Sequence, residues 1–256
     1  MKRKNISFTR LFLFAAVLVF PTLIFAAGRD CAQCHQKYGV TVTVPQIPPI
    51  RVMVNEKEEI ITLERAFKFH GHECPGMTIA YLAIQYGVNL LFNDEIPERS
   101  DLLIASRMPS AGAKDLIDLL MKGENPSKRT WPPVGMKNSR SGFVFTITRK
   151  SKCEAVEVRL NEAFFPADFF LLKQKEKEGS ITGEEWKRLH TYMKDIILKY
   201  PVKPIEELFG RPKPYKVIVW GTLGPGESDR HIRKMRQEER EGRNIKPERQ
   251  NSLSPN

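Results

Sequence analysis

The pattern of apolar and polar positions in the central part of the chain predicts alternating short strands and helices. Val52 and Val54 alternate with polar residues, which indicates an edge strand, and residues 62–67 indicate a short helix. A long helix is predicted from about residue 75 to residue 92, and its apolar face is so broad that we expect it to be buried. The apolar run at residues 102–105 then predicts a buried strand.

The second half of the domain continues this pattern. Ser110 is expected to cap a helix over residues 111–122 that ends at Gly123. Residues 142–148 alternate, and after a polar turn the alternation resumes through Leu160, which predicts an antiparallel hairpin. Further helices are predicted over residues 167–177, 183–200 (with Thr182 and Glu185 as a capping box) and 205–209, and a last strand over residues 216–220. Together these elements predict an α+β fold in which an antiparallel β-sheet packs with helices.

The two ends of the chain differ from its centre. Residues 1–27 combine a basic start with an apolar run from Leu11 to Phe25, which is typical of an export signal cleaved after Ala26 or Ala27. This predicts a periplasmic protein. The alternative is an uncleaved anchor in the inner membrane, the one case in which membrane contact is expected.

These features predict four segments. Residues 1–27 form the signal peptide or anchor, residues 28–54 a linker segment, residues 55–221 the main domain, and residues 222–256 a polar, charged tail. Loss of the four basic residues of the signal lowers the formal net charge from +11 to +7. Most of that charge is expected to be solvated surface, with attraction to an acidic partner protein or to anionic lipid as the alternative. The lack of a clustered basic and aromatic face argues against binding of nucleic acid.

The clearest chemical signal is the string FHGHECPG at residues 69–76. His70, His72 and Cys74 alternate, so an extended backbone would project all three to one side, where they could bind one transition metal ion. Zinc is the expected ion for mixed nitrogen and sulfur ligands, and iron and copper are the alternatives. Pro75 suits the first position of a helix, which would make Cys74 its N-cap and lower the pKa of the thiol. The competing interpretation is a strand-to-helix turn whose histidines only form hydrogen bonds and whose cysteine packs as a small apolar residue.

This string and the apolar helix that follows it resemble the signature of the FmdE family, which takes its name from a component of formylmethanofuran dehydrogenase. The resemblance covers residues 59–209, and it implies an α+β domain in which the motif binds a metal ion, without implying a reaction. The family usually has a cysteine three residues before an aspartate. The aspartate matches Asp115, but the cysteine position falls on Gly112. Asp115 is therefore a candidate to ligate the metal or to orient a ligating histidine, and the alternative is a solvated helix carboxylate.

A second motif precedes the domain. Cys31, Cys34 and His35 form a C-x-x-C-H string, the attachment sequence of c-type haem, in which both cysteines form thioethers and the histidine binds iron. The residues that follow do not resemble a cytochrome domain, and His190, His231 or a methionine would have to supply the second axial ligand. A Cys31–Cys34 disulfide and a second metal site are the alternatives.

Three classes of function follow. The first is a metal-dependent redox or catalytic module of unknown substrate, in which three protein ligands leave one coordination position open and Glu73 is a candidate base or simply a solvated acid. The second is a periplasmic monohaem electron-transfer protein with a redox partner protein, and the third is a metal-handling or scaffold protein. A homodimer is the remaining partner hypothesis. Cys153 is expected to be structural, with metal ligation or a disulfide to Cys74 as alternatives.

Overall fold

The computed structural model describes residues 44–124 and 139–218, together with residues 237, 238, 240 and 241. The strands in these ranges are β1 (Ile50–Val54), β2 (Lys57–Ile61), β3 (Leu102–Ser106), β4 (Val144–Arg149), β5 (Glu154–Arg159) and β6 (Tyr215–Lys216). The helices are α1 (Leu63–His70), α2 (Pro75–Phe92), α3 (Ala111–Lys122), α4 (Phe169–Glu178), α5 (Gly183–Lys199) and α6 (Ile205–Phe209).

The strands form two antiparallel sheets. Strands β1 and β2 make a hairpin, and a four-stranded sheet has the order β3-β4-β5-β6. In the larger sheet Ile147 lies opposite Ile104 on β3 and Val156 on β5, and all three side chains are buried. Helices pack with these sheets, so the predicted α+β fold is confirmed.

Helix α2 lies at the centre of the core. Most of its residues are buried, as its continuous apolar sequence predicts. It packs against β4 and β5 on one side and against α3 and α5 elsewhere. The first turn of α2 is thereby held in a fixed position next to the first turn of α3, and this junction carries the candidate site described below.

The hydroxyl group of Tyr81 ties the β1–β2 hairpin to α2. Tyr81 is fully buried, and its oxygen accepts a hydrogen bond from the backbone N–H of Ile50 (3.1 Å) and donates to the carbonyl of Ile61 (2.8 Å). Burial of the hydroxyl raises its pKa far above the usual value, so it stays protonated and able to donate. Because only the N-cap residue Thr62 separates Ile61 from α1, this contact also positions the helix that ends at the candidate site.

We expect Tyr81→Phe to lower the free energy of unfolding by about 1–3 kcal/mol, because it leaves a buried N–H and a buried carbonyl without this partner. Tyr86→Phe is the control, since the hydroxyl of Tyr86 bonds the carbonyl of Gly210 at the surface (3.2 Å). Urea unfolding of both variants measures the difference. Equal losses of stability would contradict a special role for the buried hydroxyl.

Most predicted elements match the observed ones. The helices predicted over residues 75–92 and 111–122 have the observed bounds, and the capping box of Thr182 and Glu185 is present. Of the predicted last strand at 216–220, the structure describes residues 216–218, and among these only Lys216 belongs to a strand, the two-residue β6. Residues 1–27 lie outside the described residues, as do all but four residues of the tail. Among the helices that the structure describes, none is long and apolar enough to cross a membrane.

Candidate metal site

The three candidate ligands come from a helix end, a tight turn and a helix cap. Helix α1 ends at His70, where Gly71 adopts φ 100°, a left-handed conformation that glycine tolerates, and donates its N–H to the carbonyl of Phe67 (2.7 Å). The chain then turns through His72 to Cys74, the N-cap of α2, with Pro75 in the first helical position. The prediction of an extended motif is therefore wrong, because α1 continues through His70 instead of ending at residue 67.

This turn nevertheless brings the three side chains together. His70, His72 and Cys74 each offer one ligand atom, and these atoms all lie within 4.8 Å of one another. The two imidazole rings have centroids 4.4 Å apart and are tilted by 38°. His70 is buried, whereas His72 and Cys74 are partly exposed. Such a group of nitrogen and sulfur donors could hold one metal ion with a side open to solvent.

Asp115 contacts this group from the neighbouring helix. Its Oδ2 atom lies 2.8 Å from Nδ1 of His70, and the residue is only 4% exposed, so it is not a solvated helix carboxylate. A proton on Nδ1 that is donated to this carboxylate leaves Nε2 of His70 for a metal ion. Burial opposes ionisation of Asp115, but the hydrogen bonds from His70 and Lys114 outweigh it and hold the pKa of the carboxyl below its usual value.

The thiol of Cys74 is strongly acidified. Burial disfavours the thiolate, but hydrogen bonds from His70 and His72 and the charge of His70 outweigh this effect and lower the pKa of Cys74 to about 5. Burial likewise disfavours the charged form of His70, yet the hydrogen bonds to Asp115 and Cys74 raise its pKa to about 9. Without a metal ion, the site at neutral pH is thus a thiolate beside an imidazolium.

This acidification predicts a pH titration of the metal-free protein. The difference in ultraviolet thiolate absorbance between the wild type and Cys74→Ser should persist as the pH falls from 8 and disappear with a midpoint near pH 5, because the thiolate is lost only below the folded-state pKa. Taking the difference removes the contributions of the other cysteines. A midpoint near the ordinary thiol value of about 8.5 would contradict the geometry described above.

The first turn of α3 packs directly against the sulfur of Cys74. A Cβ atom placed on Gly112 would lie 2.8 Å from Sγ of Cys74 and 3.0 Å from the backbone nitrogen of Met77. Only glycine therefore fits at this position without a shift of the sulfur or of one of the two helices. The cysteine that the resemblance would place here is absent, and the lack of a side chain on Gly112 permits the close approach of α3.

The remaining predicted residues lie elsewhere. Cys74 and Cys153 are both free, so the disulfide considered between them is wrong, and Cys153 is not part of the converging group. His190 stacks on Trp186, with ring centroids 3.7 Å apart, and its Nδ1 atom lies 2.8 Å from the carbonyl oxygen of Trp186. Glu73 lies between two ligands in the chain and is partly exposed. The candidate haem residues Cys31, Cys34 and His35, together with His231, lie outside the described residues, and haem attachment stays a prediction.

One contact of the site was missed from the sequence. Lys114 reaches Asp115 with an Nζ–Oδ1 distance of 3.1 Å, so a buried cation lies on the side of the carboxylate away from His70. The sequence did contain one signal for the position of this lysine. Lys114 and Asp118 are four residues apart, and residues with this spacing are neighbours on a helix.

The site is thus defined by geometry and donor chemistry. Comparison of the chain with models of protein families and with curated proteins finds no match. The features of the site are the convergence of His70, His72 and Cys74 and the contact of Asp115 with His70.

Proposed function

We propose that this protein binds one transition metal ion through His70, His72 and Cys74 and uses it as a redox or catalytic centre for an unidentified substrate. The observation that carries the proposal is the convergence of the three ligand atoms within 4.8 Å of one another. Apolar packing of Cys74 alone would not explain why two imidazoles form hydrogen bonds with its sulfur. A thiolate acidified by both histidines is, by contrast, prepared for a cation.

The donor set favours zinc. Two imidazole nitrogens and one thiolate are ligand types found in zinc sites, and iron and copper are the alternatives for the same donors. Structural zinc sites use four protein ligands, whereas catalytic sites use three and keep one position for water or substrate. The partial exposure of His72 and Cys74 supports an open position on their side. A bound ion would there supply Lewis acidity or, for iron, electron transfer.

The chain's own residues have defined tasks at such a centre. Asp115 holds His70 in one tautomer and one orientation, which raises the basicity of the ligating nitrogen. Gly71 and Pro75 fix the turn that separates the two helices. Gly112 allows the first turn of α3 to press against the sulfur. These contacts preorganise the ligands before an ion arrives, which reduces the entropy lost on binding.

We further propose that the domain is FmdE-like and that the protein is exported to the periplasm. The motif at residues 69–76 supports an FmdE-like domain, and the basic and apolar pattern of residues 1–27 supports export to the periplasm. Neither feature indicates a particular reaction, so the proposed function is a metal-dependent module that acts on an unidentified substrate.

The decisive test compares two histidine variants. We expect the purified wild type to contain close to one metal ion per chain by elemental analysis, His72→Ala to lose it, and His190→Ala to keep it, since His190 lies on α5 outside the converging group. Circular dichroism and urea unfolding establish that both variants fold. Retention of the metal by a folded His72→Ala variant would reject the proposal.

A further inference from the structure

A ladder of charges leads from the candidate metal site along α3. Asp115 contacts Lys114 (3.1 Å), Lys114 contacts Asp118 (3.3 Å), and Asp118 contacts Lys122 (2.7 Å). The charges alternate in sign at each step. The first member of the ladder is the carboxylate that holds His70, so the ladder and the metal site share a residue.

The inner part of the ladder is buried. The side chains of Lys114, Asp115 and Asp118 are 11%, 6% and 8% exposed, whereas that of Lys122 is 32% exposed. Lysine is rarely buried to this extent unless it is paired. Moreover, adjacent residues on a helix do not normally face each other, so Lys114 must bend its side chain to reach Asp115 as well as Asp118. An ordinary surface pair four residues apart would not require this conformation.

The position of Lys114 gives it an electrostatic effect on a bound cation. Asp115 uses Oδ2 for His70 and Oδ1 for Lys114, so one carboxylate separates the ammonium group from a candidate ligand. Charges that are buried together interact more strongly than exposed ones and are screened less by salt. The ammonium group offsets the attraction that Asp115 exerts on a cation, and Asp118 in turn offsets the ammonium group.

We infer that Lys114 is a positioning residue that acts through Asp115 and limits how tightly the site holds a divalent cation, with Asp118 setting the strength of this effect. The inference rests on the proposed function. If the ladder only stabilised α3, zinc affinity would not depend on the sign of the charge that is removed. In that case all substitutions would reduce stability, and zinc affinity would fall or stay unchanged in all of them.

The test is a cycle of Lys114→Gln, Asp118→Asn and the double variant, with zinc affinity measured by competition with a chelating dye at one pH and at two salt concentrations. We expect Lys114→Gln to bind zinc about 3- to 10-fold more tightly and Asp118→Asn about 3- to 10-fold more weakly. These changes are smaller than the roughly 10- to 100-fold loss caused by substitution of a direct partner of a metal ligand, because both residues act through Asp115. The double variant restores the net charge, so its affinity should return to within about 3-fold of the wild type. The differences should persist at high salt.

The matched control is Lys199→Gln on α5. Lys199 also pairs with an aspartate four residues away, Asp195 (2.8 Å), but this pair is exposed, with side chains 65% and 40% accessible. Its removal should leave zinc affinity unchanged. Thermal unfolding identifies the variants that fold. If only one of the two single variants folds, its zinc affinity is sufficient to test the inference.

The inference is overturned if a folded Lys114→Gln variant binds zinc with equal or lower affinity, if a folded Asp118→Asn variant binds it with equal or higher affinity, or if the double variant is no closer to the wild type than the single variants. Failure of the wild type to bind zinc is a different result, which rejects the proposed function itself. A third result is also distinguishable. If His72→Ala abolishes zinc binding but the zinc affinities of the Lys114 and Asp118 variants do not follow the expected order, only the role of Lys114 is rejected.

Discussion

Serine in place of Cys74 should lower the affinity for zinc at least about a hundredfold. Zinc sites built from cysteine and histidine bind with about 10–16 kcal/mol, and removal of one of three protein ligands should cost about a quarter to a third of this. A hundredfold loss corresponds to about 2.7 kcal/mol, the lower end of that range. The hydroxyl group cannot replace the thiolate because it stays protonated at neutral pH and is a harder, weaker donor to zinc.

The cobalt-substituted protein measures this effect directly. Cobalt bound by a thiolate has a charge-transfer absorption that should be present in the wild type and absent in Cys74→Ser. Cys153→Ser is the control, since Cys153 is the other free cysteine of the described chain and lies outside the converging group. Equal spectra for the wild type and Cys74→Ser would show that the sulfur of Cys74 is not a ligand.

Alanine in place of Gly112 should weaken both the fold and the site. The added Cβ would meet the sulfur of Cys74 at 2.8 Å and the backbone nitrogen of Met77 at 3.0 Å. The backbone of α2 cannot move aside cheaply because it lies in the core, so the sulfur or the whole of α3 has to shift. Overpacking of this kind costs about 1–3 kcal/mol, and displacement of the sulfur should also lower zinc affinity.

Gly183→Ala provides the matched control for this substitution. Gly183 is also in the first turn of a helix, α5, but a Cβ there would meet no atom within 4 Å. Alanine should be neutral or slightly stabilising at that position. Urea unfolding and zinc competition applied to both variants measure the difference. Unchanged stability and affinity in Gly112→Ala would contradict the close contact between α3 and Cys74.

Helices α2 and α3 beside the site could be predicted because their ends carry local signals. Pro75 can begin a helix but not continue one, which marks the start of α2. Ser110 caps α3 by accepting a hydrogen bond from the N–H of Ala113, and Gly123 ends the same helix. Signals of this kind depend on a few neighbouring residues and are visible in the sequence alone.

The arrangement of the ligands could not be predicted in this way. Alternation of His70, His72 and Cys74 is compatible with an extended strand, and the choice of a helix end instead depends on the packing of α1 against α3. The contact between His70 and Asp115 joins residues 45 positions apart. The low exposure of Lys114 depends on the same packing. The residue types therefore suggested the metal site, and the resemblance pointed to Asp115 as an outer contact, but neither pointed to Lys114.

X-ray absorption at the metal edge of the zinc-loaded protein is the most direct test of the central claim. Binding by His70, His72 and Cys74 predicts one sulfur at about 2.3 Å and nitrogen neighbours at about 2.0–2.1 Å. In Cys74→Ser the sulfur contribution should disappear. A spectrum without sulfur in the wild type, or a sulfur contribution that Cys74→Ser leaves unchanged, would contradict the proposed site.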